Sequence, residues 1–336
     1  MTFRDSILNK TVLVTGGAGF IGSHLVDRLL EQDNNVICVD NFDPYYDRSI
    51  KENNIREHRK HVNYQLVEED IRNLDALRNK ISEDIDVIAH LAAKAGVRPS
   101  VKDPVGFHEV NVMGTQNMLE FAKDKEVNQF VFASSSSVYG TNENVPWSED
   151  DHVLKPISPY ASTKVSGELM GHVYSELYDL RFLALRFFTV YGPRQRPDLA
   201  IHKFLRLMSK GEQIKLYGDG SSRRDYTYID DIIDGVMAAI SYNDSMYEII
   251  NLGNNRTVEL LELVEAIEKV SDIEADKTHV PEIPGDVAQT WADINKAQKK
   301  LGYKPNYGLE KGLLRFVNWF EKVNEVTTQT KKLNSM

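Results

Sequence analysis

Tyr160 and Lys164 stand four residues apart in the stretch Tyr-Ala-Ser-Thr-Lys, so their side chains would lie on one face of a helix. A phenol has an ordinary pKa of about 10 and is a poor base at neutral pH. A lysine ammonium one turn away would favour the phenolate, and reaching a pKa of about 7 needs roughly 4 kcal/mol of differential stabilisation. The pair predicts a tyrosine base, although the spacing alone is also compatible with an exposed helix face.

A glycine-rich turn follows the first predicted strand, Thr11–Thr15, and precedes a helix with periodic apolar residues. Gly16 would permit the tight turn, Gly19 would let a pyrophosphate approach backbone N–H groups, and Gly22 would let the helix pack closely. A purely structural turn is the alternative, but the strand before and the helix after favour dinucleotide binding. The positive charge of an oxidised nicotinamide would then add to that of Lys164.

An acidic residue follows the second predicted strand, Val36–Val39. Asp40 stands where a carboxylate accepts hydrogen bonds from the adenosine ribose and repels a 2′-phosphate, so NAD is expected rather than NADP. Asp70, after the predicted strand 64–67, is placed to reach the adenine; an ordinary turn aspartate is the alternative.

Two further apolar runs complete the predicted sheet. Val87–Leu91 leads into small residues that would allow close approach of a cofactor, and Phe130–Ala133 opens onto four serines. Because helical patterns separate the strands, we predict an α/β fold, a doubly wound parallel Rossmann sheet with a smaller C-terminal α/β lobe for substrate.

The predicted organisation has three parts. Residues 1–187 form the NAD-binding Rossmann domain, residues 188–323 mainly the substrate lobe with segments that cross back to the sheet, and residues 324–336 a disordered tail. A chain of 336 residues is long enough for this arrangement.

Composition excludes several function classes. The net charge of −10 disfavours nucleic-acid binding, and the apolar runs fall short of the roughly 18 residues of a membrane span. The first residues lack the apolar stretch of a signal peptide, and a lone Cys38 agrees with a reducing compartment, so a cytoplasmic location is expected. The nine histidines show no metal-ligand spacing, and no metal is expected.

The motifs of the chain resemble those of the extended short-chain dehydrogenase/reductase superfamily. They are TGGAGFIG (15–22), HLAAKAG (90–96), SSSSVYG (134–140), YASTK (160–164) and LRFFTVYGPRQRPD (185–198). More narrowly, the chain is similar to NAD-dependent nucleotide-sugar epimerases, above all UDP-glucuronate 4-epimerases. The narrower likeness rests on NFDPYYD (41–47), AGVRPS (95–100), GDGSSRRDYTYIDD (218–231), NLGNN (251–255) and PGDVAQTWAD (284–293), and covers about residues 10–323.

The resemblance implies a catalytic role for each of three residues. Tyr160 would be base and acid at the sugar 4-OH, Lys164 would lower its pKa and hold the nicotinamide ribose, and Ser135 would share a hydrogen bond with the 4-oxygen. NAD would stay bound, take a hydride from C4 of UDP-glucuronate and return it to the other face of the 4-keto sugar, giving UDP-galacturonate. UDP-glucose or UDP-N-acetylglucosamine is the alternative substrate, and decarboxylation of UDP-glucuronate is a weaker alternative.

The resemblance also implies a set of cofactor contacts. They are Gly16, Gly19, Phe20, Ile21, Gly22, Asp40, Asn41, Asp70, Ile71, Leu91, Ala92, Ala93, Lys94, Tyr160, Lys164 and Phe187.

A glucuronate substrate would form a 4-keto intermediate that is a β-keto acid and can lose carbon dioxide, so its carboxylate must be held. Ser136, Ser137, Thr189 and the cation Arg196 are candidates for that task; a solvated polar loop is the alternative for the two serines. Related dehydratases carry Asp-Glu before the Val-Tyr-Gly, and decarboxylases typically carry a glutamate at the position of Ser137. This chain has neither acid, so dehydration and decarboxylation are disfavoured.

Two further arginines and one aspartate are candidates for contacts with the rest of the UDP-sugar. Arg224 resembles the residue that clamps the diphosphate, Arg98 follows the small-residue loop, and Asp286 resembles a uridine-ribose contact. We expect Arg223 to be a solvated surface charge.

Two helices carry apolar stripes, which are usually core. The stripes are Val110, Met113, Asn117, Met118 and Phe121, and Val165, Leu169, Val173 and Leu177. Family members often pair these helices between subunits, so a homodimer is expected. A dehydrogenase of a free small substrate would share the Ser-Tyr-Lys set but exchange its cofactor, whereas a non-catalytic NAD sensor would not need that set.

Overall fold

Strands and helices alternate along most of the chain in the computed structural model, which describes residues 8–151, 155–281 and 287–333. The strands are β1 (Thr11–Thr15), β2 (Asn35–Asp40), β3 (Tyr64–Glu68), β4 (Val87–His90), β5 (Gln129–Ser135), β6 (Arg181–Phe187), β7 (Thr189–Tyr191), β8 (Ile214–Tyr217), β9 (Arg223–Tyr228), β10 (Tyr247–Leu252), β11 (Thr257–Glu259) and β12 (Lys277–Val280). The helices are α1 (Phe20–Leu30), α2 (Arg48–Asn54), α3 (Leu74–Lys80), α4 (Val97–Lys102), α5 (Pro104–His108), α6 (Gly114–Asp124), α7 (Pro159–Tyr178), α8 (Ala200–Met208), α9 (Ile229–Ile240), α10 (Leu260–Ser271), α11 (Asn295–Leu301) and α12 (Leu309–Leu333).

A seven-stranded parallel sheet forms the centre, in the order β10-β6-β5-β4-β1-β2-β3. Chain order reverses between β1 and β4, so a crevice opens at their carboxyl ends, where ligands bind in open α/β sheets. This sheet confirms the predicted doubly wound α/β fold.

Helices cover both faces of the sheet, as the burial of β1 illustrates. Val12 and Val14 belong to one buried cluster and Leu13 to another, and all three are fully buried. Because successive side chains of a strand point to opposite faces, each face of the sheet has its own core. Strands of this kind have continuous apolar runs instead of an alternating pattern.

The C-terminal half of the chain also forms two shorter sheets. Strands β11, β9 and β7 form a three-stranded sheet, and β12 and β8 form a pair. Strand β10 lies far along the chain but pairs with β6 of the central sheet, so the C-terminal half contributes to both parts.

One segment differs from the sequence-based expectations. The last helix continues to Leu333, whereas the sequence predicted a disordered tail from Asn324. In the polar stretch 41–60, three side chains are buried and contact the body of the domain: Lys51 pairs with Asp40, Asn54 donates to the Ala18 carbonyl, and His58 hydrogen-bonds Asp27. No helix in the described part of the chain is long and apolar enough to cross a membrane.

Candidate active site

A cavity of about 880 Å³ lies at the switch point of the sheet, between the carboxyl ends of its strands and strands β7 and β9 of the three-stranded sheet. Most of the predicted cofactor residues line it. They are Gly16, Gly19, Phe20, Ile21, Asp40, Asn41, Asp70, Ile71, Leu91, Ala92, Ala93, Lys94, Tyr160, Lys164 and Phe187. Gly22 lies behind this lining, in helix α1.

The glycine turn leaves no room for side chains. Gly16 has a φ of +71°, and a Cβ there would lie 2.9 Å from the backbone of Ala92 at the end of β4. A Cβ on Gly22 would lie 2.2 Å from the carbonyl oxygen of Gly16. The helix therefore packs directly on the turn, and its first residues, Phe20 and Ile21, line the cavity beside Gly19, where a helix N-terminus can bind a pyrophosphate.

Asp40 is held by backbone donors at the end of β2. Its Oδ2 accepts a hydrogen bond from the Ala18 N–H over 3.1 Å, and its Oδ1 accepts one from the Phe42 N–H over 2.8 Å. Lys51 lies 3.5 Å from the same carboxylate and also lines the cavity. Lys51 was not predicted as a site residue, because it stands in a polar stretch of the sequence without any spacing signal.

Asp70 lies beside Asn41 on the adenosine side of the predicted cofactor site. The Asn41 Nδ2 donates to Asp70 over 2.8 Å, and the Arg72 guanidinium pairs with the same carboxylate over 2.9 Å. Burial alone would raise the pKa of Asp70, but the hydrogen bonds from Arg72 and Asn41 lower it to about 2. The carboxylate therefore stays charged and fixed at neutral pH.

Tyr160 and Ser135 lie next to each other in the lining of the cavity. Ser158 caps the N-terminus of helix α7: its Oγ accepts a hydrogen bond from the Ala161 N–H over 3.1 Å, which fixes the first turn that carries Tyr160. Strand β5 ends at Ser135, which hydrogen-bonds the Tyr160 phenol. The serine and the tyrosine predicted to act on one sugar oxygen are therefore adjacent.

Lys164 lies one turn further along α7, with its Nζ 5.8 Å from the centre of the Tyr160 ring. The Nζ donates to the carbonyl oxygen of Ala133 over 2.7 Å. Burial lowers the pKa of Lys164 to about 7, opposed by the charge of Glu168. The ammonium is thus directed to the strand end rather than to the phenol oxygen.

Burial also raises the pKa of Tyr160, whereas the Ser135 hydrogen bond and the charge of Arg196 lower it. The spacing of Tyr160 and Lys164 predicted a lowered pKa with Lys164 as the cause. In the protein alone the pKa shifts the other way, because desolvation of the phenolate outweighs the nearby donors and charge. The predicted lowering also depends on the charge of bound nicotinamide and stays a prediction. The charge of Arg196 favours the phenolate form of Tyr160.

A buried ion pair joins the catalytic helix α7 to strand β6. The Arg186 guanidinium in β6 binds Glu168 through two hydrogen bonds of 2.9 and 2.8 Å, and the Ser134 hydroxyl donates to the same carboxylate over 2.6 Å. Sequence reasoning missed this network, although two signals were present. Glu168 lies four residues after Lys164, and Arg186 is a charge inside an apolar strand.

Asn111 fixes the small-residue loop after β4. Its side chain accepts from the Lys94 N–H over 2.8 Å and donates to the Lys94 carbonyl over 2.9 Å and to the Thr163 hydroxyl over 3.0 Å. The loop is thereby tied to the residue before Lys164. The Lys94 ammonium itself pairs with Asp103 over 2.6 Å.

The predicted substrate residues fall into three groups. Thr189, Arg196 and Arg224 line the cavity. Ser136 and Ser137 lie outside its lining, and the buried Ser137 Oγ meets no hydrogen-bond partner among the described residues. Arg98 is also outside the lining, where its guanidinium stacks on the Tyr217 ring at 4.4 Å.

Two other predictions concern single residues. Asp286 lies outside the described residues. Arg223 pairs with Glu259 across strands β9 and β11, and its side chain is half exposed, which confirms it as a surface charge.

Comparisons with known proteins agree over most of the chain. The model of the family described as GDP-mannose 4,6 dehydratase matches residues 13–316. A UDP-glucuronate 4-epimerase from Thermodesulfobacterium geofontis is 40% identical over 321 residues, which cover 95% of this chain and 98% of that protein.

Solved structures are similar to the same extent. A UDP-glucuronic acid 4-epimerase from Bacillus cereus, solved with UDP-glucuronic acid and NAD, has a TM-score of 0.87 at 39% identity and covers 93% of this chain and 99% of its own. A UDP-N-acetylglucosamine 4-epimerase from Methanobrevibacter ruminantium, solved with UDP-N-acetylmuramic acid, has a TM-score of 0.86 at 35% identity and covers 94% and 99%.

Proposed function

Because the chain belongs to the family described as GDP-mannose 4,6 dehydratase, within the extended short-chain dehydrogenases/reductases, we propose that it converts UDP-glucuronate into UDP-galacturonate. At the coarser level it is an isomerase, an NAD-dependent UDP-sugar 4-epimerase. The observation that carries the proposal is the single cavity that holds Tyr160, Ser135, Thr189 and Arg196 beside the glycine turn.

The cavity suits NAD on physical grounds. The turn at Gly16 and Gly22 has no space for a Cβ, and the carboxylates of Asp40 and Asp70 are fixed at the ends of β2 and β3. Asp40 would accept hydrogen bonds from the ribose hydroxyls, and Asp70 with Asn41 would hold the adenine end. Lys164 would hold the nicotinamide ribose from beneath Tyr160.

The catalytic work of the chain is proton transfer at one oxygen. Bound NAD supplies reversible oxidation at C4 of the sugar. Tyr160 as phenolate takes the proton of the 4-hydroxyl and later returns it to the same oxygen, so no proton is gained or lost over the cycle. Ser135 bonds both groups and keeps the 4-oxygen within reach of the phenol.

A cation and a hydroxyl are available for the substrate carboxylate. Thr189 lies at the start of β7 and Arg196 in the loop that follows it, and both line the cavity. Holding the carboxylate away from overlap with the 4-keto group would prevent loss of carbon dioxide. The side chains at 136 and 137 are hydroxyls, so no acid stands where dehydratases or decarboxylases carry one.

A neutral UDP-sugar is the second candidate, and one contact favours it. Both carboxylate oxygens of Asp198 already bind the Arg196 guanidinium, over 3.0 and 2.8 Å. A sugar with a hydroxymethyl group in place of the carboxylate would leave this pair undisturbed.

The first experiment is incubation of the purified protein with UDP-glucuronate, without added NAD, followed by proton NMR of the sugar. Signals of UDP-galacturonate are expected. A UDP-pentose would assign the protein to decarboxylation, and turnover of UDP-glucose or UDP-N-acetylglucosamine alone would overturn the proposed sugar but keep the reaction.

A further inference from the structure

We propose that Asp198 is a positioning residue that sets, through Arg196, how the site discriminates between an acidic and a neutral UDP-sugar. The inference rests on the proposed function, because it concerns the group at C6 of the sugar. It assigns a role to a residue that would not itself contact the reacting atoms.

Asp198 and Arg196 form a bidentate ion pair at the rim of the cavity. The Nε and Nη2 of Arg196 donate to Oδ1 and Oδ2 of Asp198 over 3.0 and 2.8 Å. Such a pair fixes the plane of the guanidinium as well as its position. The Arg196 side chain is 17% exposed and that of Asp198 38%, so the carboxylate faces solvent while the guanidinium faces the cavity.

Two other segments hold the pair in place. The Tyr45 hydroxyl donates to Asp198 over 3.2 Å, and the Tyr45 ring lies 5.2 Å from the Arg196 guanidinium. On the opposite side, the carbonyl oxygen of Ala95 accepts from both Nη atoms of Arg196 over 3.3 and 3.4 Å. The loops after β2, β4 and β7 thus meet at one guanidinium.

Most of the N–H donors of Arg196 already have acceptors in this arrangement. A guanidinium has five N–H groups, and Asp198 takes two of them in the fork that would suit a substrate carboxylate. A sugar carboxylate in the cavity would share the cation with Asp198 and would be repelled by its negative charge. A neutral sugar would meet an arginine whose charge is already balanced.

Removal of the Asp198 charge should therefore change the KM values of the two UDP-sugars in opposite directions. With Asp198→Asn the guanidinium loses its counter-ion, so an acidic sugar gains a partner and a neutral sugar leaves a partly buried cation unpaired. We expect the ratio of KM for UDP-glucose to KM for UDP-glucuronate to rise at least ten-fold. A general loss of stability would scale both KM values alike and leave the ratio unchanged.

Matched variants separate charge from packing. Asp198→Glu keeps the charge and should return the ratio towards the wild-type value, and Tyr45→Phe removes only the hydroxyl bound to Asp198 and should change it less than three-fold. Asp244→Asn removes one charge from an exposed position elsewhere and should leave the ratio unchanged. Asp198→Ser removes the same charge with a smaller side chain and must move the ratio in the same direction as Asp198→Asn.

Binding measurements keep the test independent of the proposed reaction. Calorimetric Kd values for UDP-glucuronate and UDP-glucose should show the same change of ratio in Asp198→Asn, even if the wild-type protein epimerises only a neutral sugar. An unchanged or inverted ratio in both Asp198→Asn and Asp198→Ser would overturn the inference. Failure of the wild-type protein to epimerise UDP-glucuronate would instead overturn the proposed function.

Discussion

Lys164 donates a hydrogen bond from its Nζ to the backbone carbonyl of Ala133, over 2.7 Å. This contact ties the catalytic helix α7 to the end of strand β5, two residues before Ser135. The distance between Tyr160 on the helix and Ser135 on the strand is therefore set by a buried lysine. Beyond any charge effect, Lys164 has a structural role in assembling the pair that would handle the 4-oxygen.

Replacement of the proposed base should abolish turnover while leaving binding intact. Tyr160→Phe removes the only group proposed to accept the proton, so kcat should fall by several orders of magnitude. Binding of NAD and UDP, followed by calorimetry, should be within a few-fold of wild type. Tyr178→Phe, at the exposed end of the same helix, is the matched control and should keep full activity. Near-normal turnover of Tyr160→Phe would contradict the mechanism.

The pH profile of kcat should depend on Arg196. The charge of Arg196 lowers the pKa of Tyr160, so Arg196→Gln raises that pKa. Turnover needs the deprotonated phenol and increases with pH through its pKa, so the ascending limb should move to higher pH. Arg194→Gln removes a nearby charge that pairs with Asp27 and should leave the limb in place. If the ascending limb of the Arg196→Gln profile keeps its wild-type position or moves to lower pH, this cation does not act on the base.

Arg196→Gln should also hold the substrate carboxylate less firmly. With UDP-glucuronate, Arg196→Gln should release a measurable fraction of UDP-pentose, because the 4-keto acid is held less firmly. Proton NMR of the products distinguishes the pentose from UDP-galacturonate. Epimerisation without any pentose would assign the carboxylate to other partners, with Thr189 as the next candidate.

Close packing of the glycine turn should make Gly22 intolerant of a methyl group. The Cβ of Gly22→Ala would lie 2.2 Å from the Gly16 carbonyl oxygen, a backbone atom that cannot rotate away. We expect a loss of about 1–3 kcal/mol in the free energy of unfolding and weaker stabilisation by added NAD. Thermal unfolding with and without NAD measures both effects. Gly308→Ala, which meets nothing within 4 Å, should have neither.

The exposed face of helix α7 is proposed to form a homodimer. Leu169, Val173 and Leu177 are 58%, 49% and 66% exposed, although each belongs to an apolar stripe. Leu169→Arg should convert the protein into a monomer, since a charge on this face opposes burial against a second copy. Light scattering at micromolar concentration checks the mass. Leu314→Arg changes a half-exposed leucine on α12 and should leave a dimer intact; a monomeric wild-type protein would contradict the proposal.

The sequence by itself determined the fold class and the cofactor half of the cavity. Gly16 and Asp40 lie at the carboxyl ends of predicted strands, and Tyr160 and Lys164 lie four residues apart in the first turns of a helix, so local patterns were enough to predict them. Such local patterns are sufficient because a parallel sheet brings all its strand ends to one edge.

Only the tertiary structure decided the contacts between distant loops. The approach of Lys51 to Asp40, the buried pair of Glu168 and Arg186, and the sharing of Arg196 between Asp198 and Ala95 depend on side-chain packing across the fold. The tertiary structure also decided in which direction the pKa of Tyr160 shifts, because burial is a property of the folded protein and not of spacing along a helix.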